Sequence, residues 1–358
     1  MKRIAIKIGL LFAIVSIASF FVHKFLLPFG WGDDSQYTKI QYLEKNHQKY
    51  NSLIIGGSLE YRQINPYTVD SIVQGSGIDM RTFNMAIDGH NFVQQMNDMD
   101  YYLDKWGSSL DYIIVSLSSE SMFLKNQLHQ IKFVQWVNLK SAFLGTKINL
   151  EAPMPLKRQV QFSYFYAMTL VENGLLFGLG DEFSRFLVYG KYNRDLAYLG
   201  KRNDGYFPYD LEQDHMFLDN QWEEKLLRLS RENYLKQKPQ RDSLIAINKR
   251  QFAGQTKDNK LIESQLEILL KLKAKAEKMG IKVYVSVPPR TRTSYAVLMA
   301  IYDKLPKDCK FELADPRIYP EFYEVENGYN FHHLNVKGAE LYSKAFGEKL
   351  VELEKARK

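Results

Sequence analysis

Two residues far apart in the chain have the types and settings that ester chemistry requires. Ser58 ends the run 52–58, an apolar segment that breaks at the paired glycines Gly56 and Gly57, and His333 lies shortly before a C-terminal helical pattern. A serine hydroxyl is a poor nucleophile at neutral pH unless a neighbouring base takes its proton. The pair predicts nucleophilic catalysis at Ser58 if the fold brings the two side chains together. Alone, the Gly-Gly-Ser turn also fits an ordinary connection between a strand and a helix.

The elements that would position Ser58 are predicted by short apolar segments that helical patterns separate. A helix is predicted from Leu59, with Pro66 as its end or kink. Strands are predicted at 52–58, 82–85, 112–117, 282–287 and 311–314, and helical patterns cover 91–106, 261–278 and 340–355. This alternation predicts a parallel sheet covered on both faces, a three-layer α/β/α sandwich. Ser58 would then lie at the carboxyl edge of the sheet, where ligands bind in such folds.

The N-terminus carries a membrane signal. Lys2, Arg3 and Lys7 accompany the nearly charge-free stretch 4–22, which is long enough to cross a bilayer core. Positive charge on the leading side predicts a cytoplasmic N-terminus and an extracytoplasmic remainder. The alternative is a cleaved signal peptide, but the sequence 19–21 has no small-residue cleavage site. We therefore expect a single-pass anchor in the cell membrane.

Composition excludes several classes of function. The chain has 358 residues, a formal net charge of +7 and one cysteine, Cys309. A single cysteine excludes an internal disulfide framework and a cysteine-rich zinc site, and we expect Cys309 to be a buried, unreactive thiol. The lysines are spread along solvated helix faces without a nucleic-acid-binding motif, so nucleic acid is not an expected partner.

The same patterns divide the chain into segments. We expect a transmembrane anchor at 1–28, a polar linker at 29–49, an α/β domain in two parts at 50–123 and 260–358, and a helical, aromatic-rich insertion at 124–259 that packs against the sheet edge. The aromatic side chains of the insertion fit either a hydrophobic core or a sugar-binding platform, with the core favoured.

Four matched segments carry a family resemblance. In chain order they are the strand with Ser58, the sequence Asn-Met-Ala-Ile-Asp-Gly at 84–89, the sequence Val-Ser-Leu-Ser-Ser-Glu at 115–120, and 330–335 near the end. Together they resemble the SGNH/GDSL hydrolase superfamily, whose fold is a flavodoxin-like α/β/α sandwich. The resemblance is closer to its membrane-anchored extracytoplasmic branch, which includes alginate acetylation proteins and the D-alanyl transfer protein of teichoic acid synthesis.

The resemblance implies roles for particular residues. Ser58 would be the nucleophile and, through its own N–H, one oxyanion donor; Gly89 would supply a second N–H because glycine permits close backbone approach. His333 would be the general base, because the family's His-Leu-Asn signature aligns on it rather than on His332. Supporting positions at the same edge would be Gly57 and the turn or capping residue Asn84.

Two positions depart from the family pattern. Asn330 stands where the family has an aspartate three residues before the catalytic histidine, and an amide can orient an imidazole without neutralising its charge. The catalytic apparatus is then either a dyad or borrows a carboxylate from Glu324, Glu326 or Asp315. The oxyanion-hole asparagine of the third segment is also missing, its place falling near Ser119 and Glu120.

The resemblance implies an extracytoplasmic serine O-acylesterase or O-acyltransferase that acts on a cell-envelope or exported polysaccharide through an acyl-serine intermediate, as in polysaccharide O-acetylation. It also implies a multi-spanning membrane O-acyltransferase as a partner, and it implies no metal or other cofactor. The alternative is a catalytically inactive protein of the same fold that binds glycans or scaffolds an envelope assembly complex, which the two departures favour.

Overall fold

The structure is a computed structural model of the chain. It describes residues 2–118, 129–189, 198–214, 221–254, 260–290 and 295–357. The helices of this part are α1 Lys2–Phe25, α2 Asp34–Asn46, α3 Ser58–Gln63, α4 Pro66–Gly75, α5 Phe92–Trp106, α6 Ile131–Val134, α7 Leu139–Glu151, α8 Leu156–Leu175, α9 Gly180–Tyr189, α10 Tyr209–Asp214, α11 Gln221–Lys236, α12 Lys238–Ala253, α13 Lys260–Lys278, α14 Tyr295–Lys304 and α15 Val336–Ala356. The strands are β1 Ser52–Ile55, β2 Thr82–Asn84, β3 Tyr112–Ser116, β4 Lys282–Val287 and β5 Lys310–Glu312.

The five strands form one parallel sheet in the order β2-β1-β3-β4-β5. The chain winds from β1 outward to β2, returns past β1 to β3, and continues to β4 and β5. Because β1 lies inside the sheet between β2 and β3, its carboxyl end is at the point where the winding direction reverses, the usual position of a ligand site. The predicted parallel α/β sheet is confirmed.

One face of the sheet is covered by α4 and α15. Val69 and Val73 of α4 pack with Tyr342 and Phe346 of α15 in a buried cluster that includes Ile54 of β1. Each fully buried side chain of this kind contributes about 1.5–3 kcal/mol relative to exposure. The C-terminal helix, which follows His333 directly, is thereby fixed against the strand that leads to Ser58.

The other side of the sheet is contacted by α5, which packs on β1, and by α13 and α14, which pack on β4. All five strands are buried along their length apart from three intermediate end positions. Continuous burial is typical of parallel strands with helices on both faces. The arrangement is consistent with an α/β sandwich.

Two local predictions differ from the structure. Pro66 neither ends nor kinks the helix that starts at Ser58; it is the first residue of α4, whose N-cap Asn65 accepts the Tyr67 N–H. Proline suits that position because its missing N–H would have no helical partner. The expected polar linker at 29–49 instead contains the 13-residue helix α2.

The chain forms two compact units, one of 1–41 with 121–195 and one of 42–120 with 196–358. The described residues of the expected insertion at 124–259 are mostly helical, but the segment 200–208 is not, and only the part before 196 groups with the N-terminal segment. Within the second unit, the Asp204 carbonyl accepts the Asn84 N–H at 2.8 Å, so the segment 198–214 covers the β2 edge of the sheet. An unpaired strand at a sheet edge can pair with a strand of another chain, and this hydrogen bond covers part of the β2 edge.

Within the first unit, α1 packs against α8. Its stretch Arg3–Phe25 has a mean hydropathy of 2.3, and only 6% of it is buried by the protein. The helix is long and apolar enough to span a membrane. Near its end, the His23 Nε2 atom lies 2.5 Å from the Asn173 carbonyl oxygen at the end of α8.

Candidate active site

The Gly-Gly-Ser turn is built around a buried carboxylate. β1 ends at Ile55, α3 begins at Ser58, and the Glu60 side chain turns back to accept the Gly57 N–H at 2.8 Å. A side chain at Gly56 would collide with that carboxylate, since a Cβ there would lie 2.3 Å from Glu60 Oε2. Burial raises the pKa of Glu60, which the nearby Arg290 charge partly opposes. The turn therefore holds Ser58 at the first position of a short helix with its side chain at the sheet edge.

The structure brings Ser58 and His333 together although 275 positions separate them. The Ser58 hydroxyl lies 2.8 Å from His333 Nε2. On the other side of the ring, His333 Nδ1 lies 3.1 Å from Asn330 Oδ1, which also accepts the backbone N–H groups of His332 and His333 at 2.8 and 2.9 Å. An amide oxygen only accepts, so Nδ1 carries the proton and Nε2 accepts the Ser58 O–H.

The electrostatics of His333 favour its neutral form. Burial lowers the pKa of His333 to about 3, and the Asp88 carboxylate opposes that shift only in part. His332, Arg62 and Arg290 lower it further. The imidazole is therefore neutral near pH 7, which is the state that can accept a proton from a serine.

Of the two alternatives for the missing carboxylate, the structure has the dyad supported by an amide. None of the three candidate carboxylates hydrogen-bonds to His333. Asp315 accepts from Arg317 at 2.9 Å, and the Glu324 carboxylate accepts from the Asn327 amide at 3.4 Å. The acidic group that acts most strongly on His333 is Asp88, whose carboxylate pairs with Arg62 at 2.5 Å. A carboxylate borrowed from 315, 324 or 326 is therefore not the arrangement in the structure, because the Nδ1 partner of His333 is the Asn330 amide.

Two residues that line the pocket have backbone N–H groups without an acceptor among the residues that the structure describes. Ser58 is the first residue of α3, so its N–H has no helical acceptor, and within the described residues no other group accepts it. Gly89 has φ of +76°, a left-handed conformation that glycine adopts without strain, and its N–H is likewise without an acceptor in that part of the chain. Free amides beside a nucleophile can bind the oxygen of a tetrahedral intermediate.

The pocket has a cavity volume of about 80 Å³ and opens to solvent. Its described lining comprises Gly57, Ser58, Leu59, Gly89, His90, Ser118, Arg290, His332 and His333. Ser119 and Glu120, expected at this edge, lie outside the described residues.

Asn84 has the structural role expected for a turn or capping residue. Its side chain donates to the Glu60 and Ile64 carbonyls at 2.7 and 3.0 Å and accepts the Ala86 N–H at 3.0 Å. It is fully buried and does not line the pocket. It ties the end of β2 to α3, the helix that presents Ser58.

The sequence analysis missed four residues at this site. Glu60 could have been found as the acidic third residue of a helix that begins at a turn. Arg290 follows the carboxyl end of β4, where ligand-binding residues are common. His90 and Tyr209 had no local signal.

His90 and Tyr209 have positions that only the folded chain reveals. His90 Nδ1 lies 2.7 Å from Asp98 of α5, and both side chains are almost fully buried, so the turn after Gly89 is anchored to that helix. The Tyr209 ring packs edge-on against the His333 ring with centroids 4.7 Å apart. Both contacts position site groups rather than supply chemistry.

Two further expectations concern metals and the thiol. Within the described parts of the chain, no three His, Cys, Asp or Glu side chains converge as they would around a metal ion. Cys309 is buried, and burial raises the pKa of its thiol, as expected for an unreactive cysteine.

Comparison with known proteins adds no family assignment. No protein-family model matches the chain, and no curated protein matches it significantly. The chemistry of the site is therefore argued from its own geometry.

Proposed function

We propose that the protein is an extracytoplasmic serine O-acylesterase or O-acyltransferase of the SGNH type, acting on a cell-envelope or exported polysaccharide through an acyl-Ser58 intermediate. The observation that carries the proposal is the 2.8 Å contact between the Ser58 hydroxyl and the neutral His333 imidazole, next to two free backbone amides. Nucleophile, base and oxyanion donors in one pocket are the parts that acyl transfer requires.

The proposed reaction proceeds in two transfers. His333 Nε2 takes the Ser58 proton as the serine oxygen bonds to the ester carbonyl carbon, and the Ser58 and Gly89 amides hold the carbonyl oxygen as it becomes negative. Collapse breaks the bond to the leaving alcohol, which receives the proton from His333. Water or a sugar hydroxyl then attacks the acyl-serine by the same steps in reverse, giving hydrolysis or transfer.

Asn330 limits how strongly the site can stabilise the protonated form of His333. Its amide oxygen orients the His333 ring but carries no negative charge to stabilise the imidazolium that forms during attack. We therefore expect slower acyl transfer than a carboxylate in that position would give. The resemblance to the anchored SGNH branch supports a polysaccharide substrate and a multi-spanning membrane O-acyltransferase as partner.

Asn330 also favours a second candidate function. A protein of this fold that had lost catalysis could bind glycans or scaffold an envelope assembly complex. Retention of a hydrogen-bonded serine and histidine would then be a structural remnant.

A serine-reactive fluorophosphonate separates the two candidates. The full-length protein in detergent is incubated with the probe, and the adduct is located by mass spectrometry. We expect modification at Ser58, at a rate reduced at least about a hundredfold in His333→Ala because the general base is lost. Ser71→Ala, which removes an exposed serine of α4, should label at the wild-type rate. A folded protein that forms no adduct would support the scaffold.

A further inference from the structure

Arg290 is a cation in the pocket that forms no ion pair with a described carboxylate, although its charge acts on the buried Glu60. Its side chain is half-buried and lines the pocket with Ser58 and His333, and its Nε atom is buried. Among the residues that the structure describes, no carboxylate or carbonyl oxygen binds its guanidinium. Burying part of a charged donor without an acceptor is costly, so a retained group of this kind indicates an acceptor that arrives with the ligand.

Arg62, the other arginine near the site, has acceptors within the protein for both of its terminal nitrogens. Its guanidinium donates to Asp88 at 2.5 Å and to the Phe207 carbonyl at 3.0 Å. Arg62 therefore stabilises the turn at Asp88, whereas Arg290 lines the pocket without such acceptors in the described part of the chain.

The backbone of Arg290 is held rigidly while its side chain is free. The residue follows β4 through Pro288 and Pro289, which restrict the chain. The Arg290 N–H donates to the Tyr295 hydroxyl at 2.5 Å, and the Asn248 amide donates to the Arg290 carbonyl at 2.7 Å. A fixed backbone lowers the entropy lost when the guanidinium binds a ligand.

Arg290 gives the lining of the pocket a positive charge. Within the described lining there is no Asp or Glu; the charge of Arg290 adds to the burial that lowers the pKa of His333 and opposes the burial that raises the pKa of Glu60. An arginine fork matches the two oxygens of a carboxylate or phosphate group, which accept its N–H donors in parallel.

We propose that Arg290 binds an anionic group of the ester substrate, a carboxylate or a phosphate, and so makes the site selective for acyl esters that carry negative charge close to the reacting carbonyl. This inference rests on the proposed function for the reaction itself. It adds the substrate class and the residue that selects it.

The test compares three esters of equal length with one leaving group. They are 4-nitrophenyl butyrate, mono-4-nitrophenyl succinate and 4-nitrophenyl 3-phosphonopropionate, which end in a methyl, a carboxylate and a phosphonate. For the full-length protein we expect kcat/KM to be about tenfold to a hundredfold higher for an anionic ester than for the neutral one, the range of charge-assisted hydrogen bonds. The larger of the two ratios tells whether a carboxylate or a phosphate is preferred.

Variants at position 290 test whether Arg290 causes the preference for anionic esters. Arg290→Gln should abolish the ratio, and Arg290→Lys, which keeps the charge without the fork, should retain part of it. Arg81→Gln, which removes a half-exposed arginine at the amino end of the sheet, should keep the wild-type ratio. A wild-type ratio of one or less, or equal losses on all three esters in Arg290→Gln, would overturn the inference.

A binding measurement separates this inference from the catalytic proposal. Calorimetry of Ser58→Ala with sodium succinate and with inorganic phosphate requires no turnover. Suppose that either anion binds and that Arg290→Gln weakens this binding about tenfold or more, while the wild-type protein hydrolyses none of the three esters. That result would refute the enzyme and leave the anion site. Absence of binding by both anions, with no ester preference, would refute the anion site.

Discussion

At the scale of single residues, the proposed base His333 is neutral, but its protonated form is only weakly stabilised by its neighbour Asn330. The His333 imidazole is neutral at ordinary pH because burial lowers its pKa to about 3. Its Nδ1 partner is the Asn330 amide at 3.1 Å, which fixes the tautomer. The base is thus available down to acidic pH, but the positive charge that it acquires during attack has no carboxylate next to it.

The variant Asn330→Asp tests how strongly the protonated form of His333 is stabilised, and the readout is the pH dependence of kcat/KM. In the wild type we expect kcat/KM to persist from pH 7 through pH 5 and to fall only as the pH approaches 3, where His333 becomes protonated. The new carboxylate stabilises the protonated ring, so it should raise the His333 pKa by about 1–3 units and move the acid limb to higher pH. We expect kcat to be maintained or raised, by on the order of tenfold, because the imidazolium is stabilised.

The control for this variant adds the same charge elsewhere. Asn203→Asp, at an exposed position in the loop that follows Gly200, should leave the acid limb in place. An acid limb near pH 6.5 in the wild type would contradict the low pKa of His333. A marked loss of turnover in Asn330→Asp would mean that the amide has a role that a carboxylate cannot perform.

At the scale of elements, the oxyanion pocket depends on the turn between β2 and α5. Gly89 adopts φ of +76° there, and the next residue, His90, is anchored to Asp98 of α5 at 2.7 Å. Asn91 then caps α5 by accepting the Gln94 N–H. The direction of the Gly89 amide is therefore set by the packing of a helix.

Gly89→Ala should reduce kcat by about 10²–10³ with a smaller effect on KM, since a Cβ disfavours the positive φ and turns the amide away from the oxyanion. Steady-state kinetics with 4-nitrophenyl acetate provides the measurement. Gly77→Ala is the matched control, because Gly77 has φ of +77° with open space around a new Cβ, in a loop after α4. Both variants should lose about 1–2 kcal/mol of stability, but only Gly89→Ala should lose turnover.

At the scale of the whole molecule, α1 is the feature that bears on the proposed location of the site. Its length and apolar composition suit a bilayer span, and the positive charges at 2, 3 and 7 favour a cytoplasmic N-terminus. The proposed extracytoplasmic location agrees with the proposed polysaccharide substrate.

Single-cysteine labelling tests this orientation. With Cys309→Ser as background, Lys355→Cys places a thiol on the exposed face of α15, and Arg3→Cys places one at the start of α1. We expect a membrane-impermeant maleimide to modify position 355 in intact spheroplasts and position 3 only after the membrane is opened. The reverse pattern would contradict the proposed topology, and loss of the chain from sedimented membranes would mean that α1 is cleaved.

Local signals in the sequence predicted much of the scaffold. The apolar runs predicted all five strands, and the helical patterns near 91–106, 261–278 and 340–355 correspond to α5, α13 and α15. These predictions depend on neighbours within one or two turns, which is the range over which periodicity and capping act. The same locality explains the error at Pro66, since a proline that ends one helix and a proline that begins the next look alike in sequence.

The amino-acid sequence by itself determined the order of strands and helices, the Gly-Gly-Ser turn at a strand end and the apolar helix at the N-terminus, because each follows from residues close together in the chain. Only the tertiary structure decided the 2.8 Å meeting of Ser58 with His333, the amide partner of that histidine, and the cation at Arg290 in the same pocket. Such contacts join segments up to 275 positions apart, and they form only where packing of α4 and α15 on the sheet outweighs the entropy of bringing those segments together.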